Sequence, residues 1–190
     1  MAAEIDVPVS EAAGAVAREL EVDYVADRTL ARITGGLRSL RLEAGLTQNA
    51  LATGLPVRGR AVSEWETRAI EPTLDHLIQW SRELGRRLAI VDRRGELRTV
   101  RQRPGESWEA FTRRRLAWPL KNRRQARGMS QDAVGLLVGV SRDSVQRWEL
   151  ACVPPRPIAL IVWAQKLECA VVLRPIGPAT GTFRRTGPAA

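Results

Sequence analysis

The sequence has little of the chemistry that catalysis and metal binding require. Its 190 residues include a single histidine, His76, and only two cysteines, Cys152 and Cys169. No cluster of Cys, His and carboxylate residues has the spacing of a metal site. Neither a Gly-rich phosphate loop nor a nucleophile elbow is present. We therefore expect no enzymatic activity, no bound metal and no cofactor.

Long apolar runs are also missing. No stretch approaches the roughly 20 apolar residues that span a bilayer, and the acidic N-terminus MAAEIDVPVSE lacks the apolar segment of a secretory signal. We expect a cytoplasmic protein in which both cysteines stay reduced. Hydrophobic residues still make up 44% of the chain, which is an ordinary fraction for a protein with a buried core.

Positive charge is concentrated in the second half of the chain. Residues 1–100 hold 14 Arg and Lys against 15 Asp and Glu, whereas residues 101–190 hold 16 against 6. This asymmetry indicates a polyanionic partner, with nucleic acid favoured over an anionic membrane surface. Ten basic residues fall between Arg98 and Arg127, against only Glu106 and Glu109. Such a run favours contacts with phosphates over a merely solvated face.

Two stretches of the chain repeat one another. GLTQNALATGLPVRGRAVSEWE at 45–66 returns as GMSQDAVGLLVGVSRDSVQRWE at 128–149, with 83 residues between matching positions and no gap. A constant interval indicates that one small helical unit has been duplicated. The matching pairs are Gln48 and Gln131, Val57 and Val140, Val62 and Val145, Trp65 and Trp148, and Glu66 and Glu149.

The spacing within each copy predicts two short helices packed at a steep angle, as in a helix-turn-helix. Thr47-Gln48 with VSEWE, and Ser130-Gln131 with VQRWE, resemble the Cro/C1 (XRE-type) helix-turn-helix family over about residues 30–85 and 116–168. The resemblance implies a mainly α protein with two tandem lambda-repressor-like helix-turn-helix bundles. We assign the repeated tryptophans and valines to the core.

The period of the pattern changes after each unit. Arg87–Val91 and Leu97–Val100 flank a turn and predict a hairpin, and Cys169–Leu173 predicts a buried strand. Helix-turn-helix units that end in a strand resemble HipB-like regulators, whose dimers join their terminal strands. The strands can pair within this chain as a small central sheet, or between chains as a homodimer with four DNA-binding helices.

These signals divide the chain into five segments. Pro119 is expected to break or kink the helix before the second unit. The segments are an acidic arm at 1–28 with a helix capped by Ser10, a first domain at 29–100, a basic linker and helix at 101–115, a second domain at 116–175, and a disordered tail at 176–190.

Base contacts are expected from the second helix of each motif, at its exposed early positions and one turn further on. Arginine can bind guanine, glutamine can bind adenine, and acidic residues can accept from cytosine. Gly59 and Pro56 depart from the family pattern, and Gly59 is expected to weaken its helix. The candidate residues are Arg58, Gly59, Arg60, Ser63 and Glu64 in the first copy, and Ser141, Arg142, Asp143, Gln146 and Arg147 in the second.

Phosphate contacts are expected at the start of the first helix of each motif. Gln48 and Gln131 lie at helix N-termini, where free backbone N–H groups favour a phosphate to which the side-chain amide can also donate. The other candidates for phosphate contact are Thr47, Ser130, Arg123, Arg124 and Arg127.

These patterns predict a sequence-specific regulator that binds double-stranded DNA, with repression by occupation of a promoter as its mode of action. The two DNA-binding helices share few exposed residues, so one chain is predicted to bind two unlike half-sites. One alternative is an antitoxin-like DNA-binding protein that also binds a protein partner through its acidic arm or apolar strands. Another, a nucleoid-type binder without sequence preference, is disfavoured by the mixed side chains of both helices.

Overall fold

The computed structural model describes residues 19–177. The helix predicted after Ser10 and residues 178–190 of the predicted tail lie outside this range. The elements are α1 (Tyr24–Glu43), α2 (Gln48–Ala52), α3 (Gly59–Glu66), α4 (Leu74–Glu83), β1 (Arg86–Asp92), β2 (Gly95–Glu96), α5 (Trp108–Ala126), α6 (Gln131–Val138), α7 (Arg142–Glu149), α8 (Pro157–Lys166) and β3 (Ala170–Pro175).

Each unit consists of four helices followed by a strand. Local signals set the helix ends: α1 begins after Asp23, whose carboxylate accepts from the N–H of Ala26 at 2.7 Å. The helix therefore starts inside the predicted acidic arm. Gly45 and Gly128 follow α1 and α5 with φ values of 68° and 64°, the left-handed conformation expected of a glycine at that position. The prediction of a mainly α protein with two helix-turn-helix units is confirmed.

The apolar side chains of both units form one continuous core. Trp80 and Trp163, which are repeat equivalents, are fully buried. Each packs on the tryptophan of its own motif. The ring centroids are 5.7 Å apart in the pair Trp65 and Trp80 and in the pair Trp148 and Trp163. Of the predicted core residues, Val62, Val145, Trp65 and Trp148 are buried, whereas Val57 and Val140 are half-buried at the edge.

The strands of the two units pair with each other inside the chain. β1 lies between β2 and β3 and is antiparallel to both. The predicted central sheet is present, and a hairpin forms, but its second strand is Gly95–Glu96 and not the predicted Leu97–Val100, which is not a strand. Ala89 pairs with Val172, and these two positions are separated by the repeat interval of 83 residues. The neighbouring pairs, Leu88 with Leu173 and Ile90 with Val171, are likewise exchanged by that interval.

The pair formed by Ala89 and Val172 therefore marks an internal pseudo-twofold axis. The helices obey the same symmetry: α1 of the first unit packs on α8 of the second, and α5 of the second packs on α4 of the first. A symmetric homodimer that paired these strands antiparallel would place one strand residue, the one on the axis, opposite its own copy in the partner. This chain makes the same arrangement from its two repeats.

Pro119 lies inside α5 without ending it. A proline has no N–H for the carbonyl one turn earlier, so a helix usually breaks there. In α5 that carbonyl belongs to Arg115, and it accepts a hydrogen bond from the Thr99 hydroxyl at 3.0 Å. The helix does not break at Pro119, because the segment after β2 satisfies the freed acceptor; a kink at this position stays a prediction.

None of the helices within residues 19–177 combines the length and the apolar character that crossing a membrane requires.

Candidate nucleic-acid interface

Each unit carries two helices joined by a turn, α2 and α3 in the first and α6 and α7 in the second; α3 and α7 are called the recognition helices. In α7, the Ser141 hydroxyl caps the helix by accepting from the N–H of Ser144 at 3.1 Å. Arg58, at the same position before α3, makes no side-chain cap. The recognition helix of the second unit therefore has the better-formed start.

Gly59 has a packing role at the first residue of α3. A Cβ atom at this position would lie 1.9 Å from Oδ1 of Asn49 and 3.1 Å from its Cα. The glycine lets α2 and α3 approach closely, and at a helix start it costs less than in a helix interior. The expected weakening of the helix is thus limited by where Gly59 falls.

The recognition helices differ in how freely they present their candidate side chains. All five candidates of the second unit are exposed: Ser141, Arg142, Asp143, Gln146 and Arg147. In the first unit Arg58 and Arg60 are exposed, whereas Ser63 and Glu64 are half-buried. Arg60 also donates from Nε to Glu64 at 2.8 Å, although a pair this exposed is worth less than about 1 kcal/mol.

A buried ion pair attaches the recognition helix of the first unit to α1. Arg41 donates from Nε and Nη2 to the two carboxylate oxygens of Glu66, at 2.6 and 2.8 Å. Its Nη1 donates to the backbone oxygen of Leu46 at 2.6 Å, and the Gln48 amide donates to Glu66 at 2.9 Å. One carboxylate at the end of α3 thus holds α1, the loop after it and the start of α2.

The second unit repeats this network. Arg124 donates to the Glu149 carboxylate at 2.6 and 3.0 Å and to the backbone oxygen of Met129 at 2.6 Å. Gln131 donates to Glu149 at 2.9 Å. The two networks have the same donors, acceptors and sequence separations, so the position of the recognition helix is fixed in the same way in both units.

This network involves three of the predicted phosphate contacts. Arg124 is buried, and each of its guanidinium nitrogens donates to Glu149 or Met129, so the structure gives it an internal role in place of the predicted phosphate contact. The amides of Gln48 and Gln131 each give one N–H to a buried carboxylate, and both side chains stay half-exposed at the helix start. Sequence reasoning missed the buried ion pairs of Arg41 and Arg124, although the two arginines keep the same 83-residue interval.

Thr47 and Ser130 cap the first helix of each motif. Their hydroxyl oxygens accept from the N–H groups of Ala50 and Ala133, both at 3.0 Å, and both residues are exposed. Because the oxygen accepts, the hydroxyl proton is left to donate outward. Both hydroxyls can therefore still donate, and their contacts with phosphates stay predictions.

Many arginines of the basic segment from Arg98 to Arg127 form hydrogen bonds or ion pairs within the molecule. Arg114 donates to Glu106 at 2.7 and 2.8 Å. These bonds and the backbone N–H of Arg103 lower the pKa of Glu106 to about 2. The other internal contacts are Arg113 with Asp75, Arg115 with the Leu88 carbonyl, Arg123 with Asp92 and Glu168, and Arg127 with Glu168.

We expect the substitution Glu66→Leu to destabilise the protein by about 3–5 kcal/mol, because it leaves the buried Arg41 without its counter-charge. The double variant Arg41→Met/Glu66→Leu should recover most of that loss, since no charge is then left buried. Urea unfolding measures both. Glu64→Gln, which breaks only the exposed pair with Arg60, should cost less than about 1 kcal/mol. A cost of Glu66→Leu no larger than that of the control contradicts the assigned role.

The same carboxylate predicts a pH dependence of stability. Burial raises the pKa of Glu66, but the hydrogen bonds from Arg41 and Gln48 outweigh it and hold the pKa below its ordinary value of 4.5. The stabilisation is therefore complete above the unfolded-state value and is lost as the pH falls through the lowered folded-state value. The difference in unfolding free energy between wild type and Glu66→Leu should shrink over that acidic range. A difference that stays constant there rules out this linkage.

Comparisons with known proteins agree with this architecture. The family model described as helix-turn-helix matches the chain twice, at residues 37–91 and 120–172. Neither a curated protein nor a solved structure matches the chain. Each family match covers one unit, from the end of its first helix to its strand, and together they cover more than half of the chain. The protein therefore belongs to the helix-turn-helix family of the Cro/C1 (XRE) type, with the DNA-binding unit present in tandem.

Proposed function

We propose that this protein is a sequence-specific transcriptional regulator that represses by occupying promoter DNA, and that a single chain binds DNA with both recognition helices. The observation that carries the proposal is the pseudo-twofold axis at Ala89 and Val172. Symmetric dimers of helix-turn-helix proteins place two recognition helices in successive major grooves of the duplex. Here one polypeptide supplies both helices about one axis.

The two recognition helices bind unlike half-sites. At equivalent positions the first unit has Arg58, Arg60, Ser63 and Glu64 where the second has Ser141, Asp143, Gln146 and Arg147. Because these side chains offer different donors and acceptors, they favour different base edges. The operator is therefore non-palindromic, and α7, with its capped start and its exposed candidate side chains, is the stronger anchor. Family membership supports this binding role over catalysis, and we place the protein in the cytoplasm with its DNA.

A second candidate function is an antitoxin-like regulator that binds a protein partner while its recognition helices hold DNA. The observation that favours it is the outer edge of β3, to which no group within residues 19–177 bonds.

Selection of bound sequences from random double-stranded DNA tests the first proposal. We expect an asymmetric motif, and native mass spectrometry on the selected site should show one chain per duplex. A palindromic motif bound by two chains would contradict the proposal that a single chain binds both half-sites. A flat sequence profile would establish binding without sequence preference.

A matched pair of substitutions separates the two half-sites. Arg147→Ala should weaken binding to the selected site roughly 5- to 150-fold, because a bidentate base contact discriminates by about 1–3 kcal/mol, and should relax preference in one half of the motif. Arg58→Ala should relax preference only in the other half. Arg93→Ala, in the turn between β1 and β2, removes the same charge away from both helices. Equal losses in all three variants would mean that only charge matters.

A further inference from the structure

The two repeats differ in what covers the outer edges of the central sheet. On the β1 side the edge is closed, because the N–H of Leu97 donates to the Ile90 carbonyl at 3.0 Å. The Arg115 guanidinium donates to the Leu88 carbonyl at 2.8 Å. Leu97 also packs against the core, and only about 10 Å³ of space remains beneath it.

The equivalent edge of β3 is open. The Ile90 carbonyl faces β2, so backbone alternation turns the polar groups of Ala89 toward Val172, and those of Val171 and Leu173 outward. Within residues 19–177, no backbone or side-chain group bonds to this outer edge. A groove of about 210 Å³ lies beside it, lined by Thr29, Arg32, Ile33, Val171, Val172 and Leu173.

Arg32 shows the same difference between the repeats. It is the repeat equivalent of Arg115, which is held against the Leu88 carbonyl and whose pKa burial lowers to about 10. Arg32 stays exposed, and it forms no ion pair with any described acidic residue. The groove at β3 thus contains Arg32, but it lacks a segment like the one that buries Arg115 in the other unit.

The segment that fills the first groove indicates what the second one fits. Glu96 and Leu97 follow a tight turn and run antiparallel to β1. The Glu96 carboxylate accepts from Arg87 at 2.6 and 2.9 Å; these bonds, with the nearby charge of Arg115, hold its pKa below the ordinary value. The repeat equivalent of Arg87 is Ala170, so the arginine that lines the groove at β3 is Arg32. The chemistry that covers a sheet edge in this molecule is therefore an extended segment with an acidic residue next to a large aliphatic one.

We propose that the outer edge of β3 binds an extended segment of a partner protein that carries an acidic residue next to a large aliphatic residue. The segment adds a strand antiparallel to β3 and bonds to the outward N–H and C=O groups of Val171 and Leu173. Its aliphatic side chain fills the groove against Ile33. Its carboxylate pairs with Arg32.

Charge distinguishes this occupant from two others. A second copy of β3 would bring another Arg174 and Arg32 to the same edge, and β3 contains no acidic residue. Residues 178–190 contain two arginines and no acidic residue. Like charges across a strand pair are destabilising, so neither matches the cation at the groove.

The test uses a synthetic peptide with the sequence of residues 94–100, RGELRTV, which includes the segment that fills the first groove. It is titrated without DNA into the full-length, ¹⁵N-labelled protein and followed by NMR, so its failure is separate from a failure of DNA binding. We expect saturable shifts of the Val171 and Leu173 amides and of the α1 turn at 29–33. Arg32→Glu should weaken binding at least tenfold, whereas Arg38→Glu, an exposed control on the same helix, should not.

A charge exchange makes the test specific. A peptide with arginine in place of the glutamate should bind wild type at least tenfold more weakly and recover affinity for the Arg32→Glu variant. The absence of saturable shifts in wild type overturns the proposal. If the peptide binds the full-length variant Glu4→Lys/Asp6→Lys but not the wild type, the acidic N-terminal segment of this chain is the occupant. If the wild-type protein is a dimer and the peptide dissociates it, a second copy of the chain occupies the edge. Either result also overturns the proposal of a partner protein.

Discussion

The antiparallel pairing of β1 with β3 is the constraint on which the rest of the structure depends. The register of a strand pair can change only by whole residues. Here it places Ala89 opposite its own repeat equivalent, Val172. The antiparallel pairing of equivalent strands relates the units by a pseudo-twofold rotation, and this match locates the axis, about which α1 packs on α8 and α4 on α5. The relation of the two recognition helices follows from it. A register shift would move the axis along the strands, and a shift of one residue would turn core side chains to the opposite face of the sheet.

Within this frame, the repeats agree where the fold requires it and differ where a partner would be contacted. The network of Arg41, Gln48 and Glu66 recurs with nearly the same distances in the second unit. The interface between the units has diverged. A groove of about 230 Å³ beside Leu30 and Ile158 has an equivalent of only about 10 Å³. In that second place Arg113 and Asp75, the repeat equivalents of Leu30 and Ile158, form an ion pair at 3.3 Å.

Several elements could be predicted from sequence because their signals are local or repeated. The caps at Thr47 and Ser130, the glycines at 45 and 128, and the core tryptophans all follow from spacing and from the 83-residue interval. The helix through Pro119 could not be predicted, because the donor that rescues it is Thr99, outside the helix. The burial of Arg124 could not be distinguished from a phosphate contact either, since a charge run does not show which of its members face a carboxylate.

The sequence by itself determined the family, the duplication and the residues that distinguish the two recognition helices. These are written in short-range patterns, such as the match of Trp65-Glu66 with Trp148-Glu149. Only the tertiary structure decided that the terminal strands pair within one chain, and that the outer edge of β3 stays open while Leu97 and Arg115 close that of β1. The physical reason is that strand pairing and edge coverage depend on which distant backbone groups meet. Side-chain periodicity fixes the face that a strand buries, but not the strand that it joins.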